Sequence, residues 1–150
     1  PLNYNGTLSG PFAAVSQLYI GRRQTADTSE GIEGAMNYKG LMYSGVPNLA
    51  SSFGYTNASW TLKCDLTCEY VCRLLNYMDK HGLSHCTPRN NDPTIRPEPW
   101  VDFSSSYFQR SMHLFPKQGS RAPWKLYQNY PLDIMMLRFG RVDDGVMSFA

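Results

Sequence analysis

Over residues 58–81 the apolar positions Leu62, Leu66, Tyr70, Leu74, Leu75 and Met78 return every three or four residues. That is the period of one buried helix face, not the alternation of a strand. Asn57 or Ser59 is placed to cap the first free amides of this helix. Gly82 is placed to end it in a left-handed turn, with Lys80 and His81 set favourably against the dipole. Upstream, residues 41–43 and 49–53 are short extended runs around Ser44-Gly45-Val46-Pro47-Asn48, a pattern that predicts a hairpin or strand pair. The earlier apolar run, residues 12–20, fits a strand or a short helix equally well.

Downstream, Pro88, Pro93, Pro97 and Pro99 each remove a backbone donor and restrict the preceding residue, so residues 87–100 are expected to be a surface loop without regular structure. Asp102 or Ser104 then opens a shorter helix to about residue 114, stopped by Pro116. Asn129-Tyr130-Pro131 opens a last helix that stops at Gly140. Asp143-Asp144-Gly145 is a turn ahead of a terminal strand over residues 146–149. The expected class is a mixed α/β (α+β) fragment. It has a long central helix, a small strand pair and two shorter C-terminal helices, and it lacks a complete Rossmann dinucleotide fold.

The chain of 150 residues fits one domain, and a domain of that size buries roughly 70% of the surface its unfolded form exposes. A composition of 42% hydrophobic and 17% charged residues is ordinary for a folded domain. With 14 basic against 12 acidic side chains, the net charge is too small for a general field toward nucleic acid or anionic lipid. No apolar run approaches the roughly 20 residues of a membrane helix, and no signal-peptide pattern opens the chain. Cys64, Cys68 and Cys72 recur every fourth residue of one helix, poor geometry for a disulfide. The expectation is a soluble cytoplasmic protein with reduced thiols. The sequons at Asn5 and Asn57 would then carry no glycan.

Several ordered strings are more informative. Tyr38-Lys39-Gly40-Leu41-Met42 is followed by Ser44-Gly45-Val46-Pro47-Asn48 and by Phe53-Gly54-Tyr55-Thr56-Asn57-Ala58-Ser59-Trp60-Thr61-Leu62-Lys63. Beyond the helix stand Asp102-Phe103-Ser104-Ser105, Pro116-Lys117-Gln118-Gly119-Ser120-Arg121-Ala122-Pro123-Trp124, Leu126-Tyr127-Gln128-Asn129-Tyr130 and Gly140-Arg141-Val142-Asp143-Asp144-Gly145. Taken together, residues 36–150 resemble the C-terminal segment of FAD-dependent, NADPH-using monooxygenases of the Baeyer-Villiger and flavin-containing type. Residues 1–35 resemble nothing in those enzymes and are left unassigned.

The resemblance implies that the long helix begins beside the flavin, with Thr56, Asn57, Ser59, Trp60, Thr61 and Leu62 touching it. It also implies FAD and NADPH as cofactors and oxygen insertion into a ketone or heteroatom. Elementary physics supports the placement, because a helix N-terminus presents free amides and positive potential to an electron-rich ligand. The alternative is that Asn57 and Ser59 only cap the helix and that Trp60 is core. The chain departs from the family in having no Gly-x-Gly-x-x-Gly fingerprint: Gly6, Gly10, Gly31 and Gly34 have neither its spacing nor its context. Both nucleotide cradles therefore lie outside it, neither cofactor is expected to bind tightly to this chain alone, and no catalytic acid, base or nucleophile is assigned.

Rival chemistries fare worse. Cys64, Cys68, Cys72, His81, His85 and Cys86 hold soft ligands, but three thiolates spread over two helical turns cannot all reach one ion at about 2.3 Å. No metal is expected, and the thiols read as small buried packing groups. A nucleophilic Cys72 lacks an activating setting, and His113 sits among apolar neighbours, where a satisfied histidine is the default. The basic and aromatic residues of the last third are broken by Asp133, Asp143 and Asp144, against nucleic-acid binding. They fit docking on the remainder of the enzyme, or self-association through an exposed helical surface. The second function considered is a non-catalytic module or remnant that dimerises or docks on a partner.

Overall fold

The computed structural model describes residues 32, 34–100 and 115–150, and the backbone of a strand at Gln17–Tyr19. In chain order the elements are β1 (Gln17–Tyr19), β2 (Asn37–Tyr38), β3 (Met42–Tyr43), β4 (Leu49–Ser51), α1 (Trp60–His81), β5 (Cys86–Pro88), β6 (Pro97–Pro99), β7 (Lys117–Gly119), α2 (Tyr130–Asp133) running directly into a π-helical segment (Ile134–Phe139), and β8 (Met147–Phe149). The strands form four antiparallel pairs: β1 with β4, β2 with β3, β5 with β8 and β6 with β7. The mixed α/β class is as expected. The shorter helix anticipated up to residue 114, and His113 with it, lies outside the described residues.

Helix α1 organises the core. Leu66, Tyr70, Val71, Leu74 and Met78 form its buried face, packed against Tyr38, Leu41 and Met42 of the β2–β3 hairpin and Leu137 of the π-helical segment. Truncating a buried leucine such as Leu66 or Leu74 to alanine removes about 2–5 kcal/mol. Gly82, at φ +66°, ends the helix as expected, with its amide turned back to the carbonyls of Met78 and Asp79. A second, smaller cluster of Ile32, Tyr43, Leu49 and Trp100 lies against Phe53 and Leu126.

Three expectations need correction. The two runs around Pro47 do not pair with each other. β3 pairs with β2 through a tight turn at Lys39 and Gly40, which both take positive φ, while β4 pairs with β1. The proline-rich stretch holds two short strands, β5 and β6, because two-stranded ribbons with a free edge tolerate residues that lack an N–H. Cys68 and Cys72 are exposed, Cys64 is half-buried, and only Cys86 is a buried thiol. A spacing of four places the first three together on the flank of α1 that turns away from the core.

A buried lysine and a half-buried aspartate tie the ends of this piece together. Lys39 pairs with Asp144 at 2.8 Å and also donates to the Arg141 carbonyl at 3.1 Å, while the Tyr38 hydroxyl donates to Asp144 at 2.6 Å. Burial pulls the Lys39 amine below its ordinary range, against the pull of Asp144. Burial alone would raise the Asp144 carboxyl, but the hydrogen bonds from Lys39 and Tyr38 outweigh it and hold it low. Close by, Arg73 donates to the carbonyls of Leu137 and Gly140 at 2.6 and 2.7 Å, satisfying acceptors that the end of the π-helical segment leaves open.

Candidate cofactor-facing helix mouth

The mouth of α1 is built from three pieces of chain. The segment from Phe53 to Ser59 leads into the helix, the loop at Tyr127 to Asn129 lies beside it, and Asp133 closes it from below. Ser59 occupies the cap position with extended backbone, φ −62° and ψ 131°, but its side chain caps nothing. Its hydroxyl instead hydrogen-bonds the Thr61 hydroxyl at 2.8 Å. Nor is Asn57 a cap, since its amide donates to the Gln128 carbonyl at 3.1 Å. The expected capping is therefore corrected: among the described residues no side chain accepts from the first-turn amides, which stay open.

Thr56, Asn57, Ser59, Trp60 and Thr61 are all exposed and sit together at this junction, with Leu62 half-buried one step inside. The structure thus gathers the six expected residues in one place. Trp60 is 51% exposed, so it is not core. One face of its ring rests on Gly54, where an added Cβ would lie 2.4 Å from Trp60 Cγ, and it leans on Phe53 with ring centroids 5.1 Å apart. Phe53 in turn stacks on Trp100 at 4.5 Å. An apolar ledge of mutually tilted rings stands beside open amides.

Beneath the ledge lies a small polar network that the sequence reading missed. Lys63 pairs with Asp133 at 2.9 Å, both side chains at most 5% exposed, and the Tyr55 hydroxyl donates to the same Asp133 oxygen at 2.6 Å. Burial, opposed by Asp133, pulls the Lys63 amine down. Burial first, and then the hydrogen bond to Asp133, pushes the Tyr55 phenol well above its ordinary range. Gln128, at φ +50°, accepts from the Thr56 amide at 3.0 Å through its side chain and from Asn57 through its carbonyl. Gln128 and Lys63 both stand inside the ordered strings quoted above; their roles need the fold, because their partners are some 70 residues away.

The hollow between Gly54, Tyr55, Lys63, Trp100, Gln128 and Asp133 measures about 10 Å³, room for at most one water. The hollow therefore admits no ring system. On the outer side of the mouth stand uncapped amide donors, an exposed indole and two small hydroxyls, the kinds of group that could contact a flavin. The rival soft-ligand cluster disperses: among the described residues no three His, Cys, Asp or Glu side chains gather on one metal-sized point. His81 Nδ1 lies 2.8 Å from the Tyr77 carbonyl and His85 Nδ1 lies 2.8 Å from the Ser84 hydroxyl.

Comparison with known proteins shows what the chain is similar to. The chain is 48% identical over 134 residues to the FAD-containing monooxygenase EthA of Mycolicibacterium smegmatis, a match covering 89% of this chain and 27% of that protein. It is 47% identical over 135 residues to EthA of Mycobacterium tuberculosis H37Rv, and 44% identical over 127 residues to the probable FAD-binding monooxygenase AlmA of Acinetobacter baylyi, covering 28% and 25% of those proteins. The chain thus spans about a quarter of the length of these curated relatives. A match of 134 residues is longer than the stretch from Met36 to Ala150, so the likeness reaches back into the first 35 residues. No family model matches, and no solved structure matches. Extended identity at this level to several such proteins makes this chain similar to a segment, about a quarter of the length, of FAD-containing monooxygenases.

Proposed function

We propose that this chain forms the C-terminal part of an enzyme that uses FAD and NADPH to insert one oxygen atom into a ketone or heteroatom, and that catalysis needs the remaining polypeptide. The reading rests on one observation: the amides that open α1 are uncapped and lie beside the exposed Trp60 ring. When bound, the flavin supplies the redox chemistry. The chain's own residues orient it and keep water out. The Ser59 and Thr61 hydroxyls and the first-turn amides serve as donors to the electron-rich edge of the ring, Trp60 covers a ring face, and Leu62 limits solvent behind it. Thr56 and Asn57, anchored on Gln128, hold the loop in register. The four free cysteines support a reducing, cytoplasmic setting, and among the described residues no helix is long and apolar enough to cross a membrane.

The test is a graft in which this chain replaces the matched quarter of the Mycolicibacterium smegmatis relative. Flavin retained per protein after gel filtration should fall about tenfold when Trp60→Ala and Ser59→Ala are combined, the scale of one ring contact plus one hydrogen bond. Unchanged flavin content in a folded double variant would refute the placement. A second reading, a non-catalytic module that docks on a partner or self-associates, draws on the exposed side chains of Leu132, Met135 and Phe139. A graft that folds but never binds flavin would favour it.

A further inference from the structure

In the second half of α1, Arg73, Asn76, Tyr77 and Lys80 follow one another at helical spacing, which puts them on one stripe of the helix. Across from the stripe stand Arg141 and Asp143, in the loop after the π-helical segment, and an open groove of about 450 Å³ lies between. Its walls carry three cations. Arg73 is held in place by donating to the Leu137 and Gly140 carbonyls, neutral acceptors that leave its positive charge uncompensated. Lys39, Lys63, Arg121 and Arg138 each have a carboxylate partner, whereas among the described residues Arg73, Lys80 and Arg141 have none. Asp143 is the one carboxylate on the groove's lining, 3.5 Å from the Tyr77 hydroxyl, and the adjacent Asp144 is taken up by Lys39 and Tyr38.

We propose that this groove binds a phosphomonoester carried by a soluble small molecule. Cations exceed carboxylates by two on its walls, which is nearly the charge of such a group at neutral pH. The side-chain types suit its oxygens. A guanidinium offers five N–H donors, of which the carbonyls occupy only two in Arg73. Arg141 can donate in pairs, Lys80 adds a compact charge and the Asn76 amide a neutral donor. Shape selects the occupant: a membrane surface or a nucleic-acid backbone calls for cations spread along an exposed face, but these three line the walls of one concavity. The groove is also separate from the helix mouth, because Arg73 lies thirteen residues beyond Trp60, about 20 Å along the helix axis. Its ligand is therefore a second one, and the site stands whether or not a flavin rests on Trp60.

Titration of the 150-residue chain with inorganic phosphate and with glycerol phosphate, followed by phosphorus NMR at an ionic strength matched with chloride, should show saturable binding. Lys80→Gln with Arg141→Gln should weaken it about tenfold, the scale of two partly exposed charge contacts, without moving the thermal unfolding midpoint. Arg138→Gln removes a cation already bound to Glu69 and should change the affinity less than about twofold. Binding that does not saturate, or that all these substitutions weaken alike, overturns the site, since phosphate would then be answering net charge alone. Pelleting with phosphatidate vesicles that glycerol phosphate does not compete away overturns the soluble ligand. Should the isolated chain unfold without cooperativity, the graft decides, because any phosphate site outside this groove is common to the parent and the double variant: a loss of about tenfold supports the site, and equal affinities overturn it.

Discussion

Lys63, on the first turns of α1, meets Asp133, the last residue of α2, at 2.9 Å across 70 residues of sequence, and the pair is almost wholly shielded from water. Such a pair contributes little net stability over an apolar substitute, but half of it is expensive. Lys63→Ala, which strands a carboxylate, should cost about 3–5 kcal/mol in urea unfolding. The triple replacement Lys63→Met, Asp133→Leu and Tyr55→Phe should recover most of that loss. A single-variant cost below about 1 kcal/mol would mean that water reaches the carboxylate.

Gly54 and Trp60 are in contact so close that no side chain fits between them. Gly54→Ala should displace the indole, cost about 1–3 kcal/mol as overpacking does, and shift Trp60 emission. In the Trp60→Ala background the same change should cost less without becoming silent, because the added Cβ would still lie 2.7 Å from the Cα of residue 60. Equal effects in both backgrounds would show that the glycine matters for its backbone and not for the ring above it.

Asp144 sets the acid limit. Its carboxyl is held below the unfolded value of about 3.9, so the unfolded chain takes up a proton first as pH falls. The stability from Asp144 is fully present above that unfolded value and is lost as pH drops through the lower folded one. Asp144→Asn should lower stability at neutral pH and flatten the decline below about pH 4. A variant that still loses stability as steeply in acid would move the limit to other carboxylates.

Thiol reactivity should divide by burial. The Cys86 thiol, buried and pushed up to about 11 by that burial, should react with a disulfide reagent only on unfolding. Cys68 is exposed, but partial desolvation of its sulfur and the neighbouring Cys64 and Cys72 raise its thiol, so its rate should fall below that of a free cysteine while far exceeding that of Cys86. Mass mapping after brief labelling checks the order. Early modification of Cys86 would show that β5 opens readily.

The parts legible in the sequence are those set by neighbours in the chain. The repeat of Leu66, Tyr70, Leu74 and Met78 marks α1, Gly82 ends it, and Asn129 with Pro131 opens α2, where the Asn129 side chain does accept from the Leu132 amide. The six residues of the helix mouth come together because five of them lie within one turn of its start. Pairing partners were not legible, since β4 finds β1 and β5 finds β8 through contacts that no local pattern encodes. Lys63 carries no local mark of burial either, because its carboxylate arrives from a distant element. The exposed thiols were misjudged for a related reason: cysteine is usually buried, and the apolar period of α1 assigns the core face to other residues.

The hydrogen bond from Tyr38 to Asp144 joins residues 106 positions apart. A ribosome threading out this chain delivers the β2–β3 hairpin, with the left-handed Lys39 in its turn, long before the carboxylate that locks it. Closures of such span are slow to form, and in the interval the emerging hairpin leaves Tyr38 and Leu41 uncovered. Synthesis, not the finished molecule, is therefore where this segment most needs the protection of chaperones.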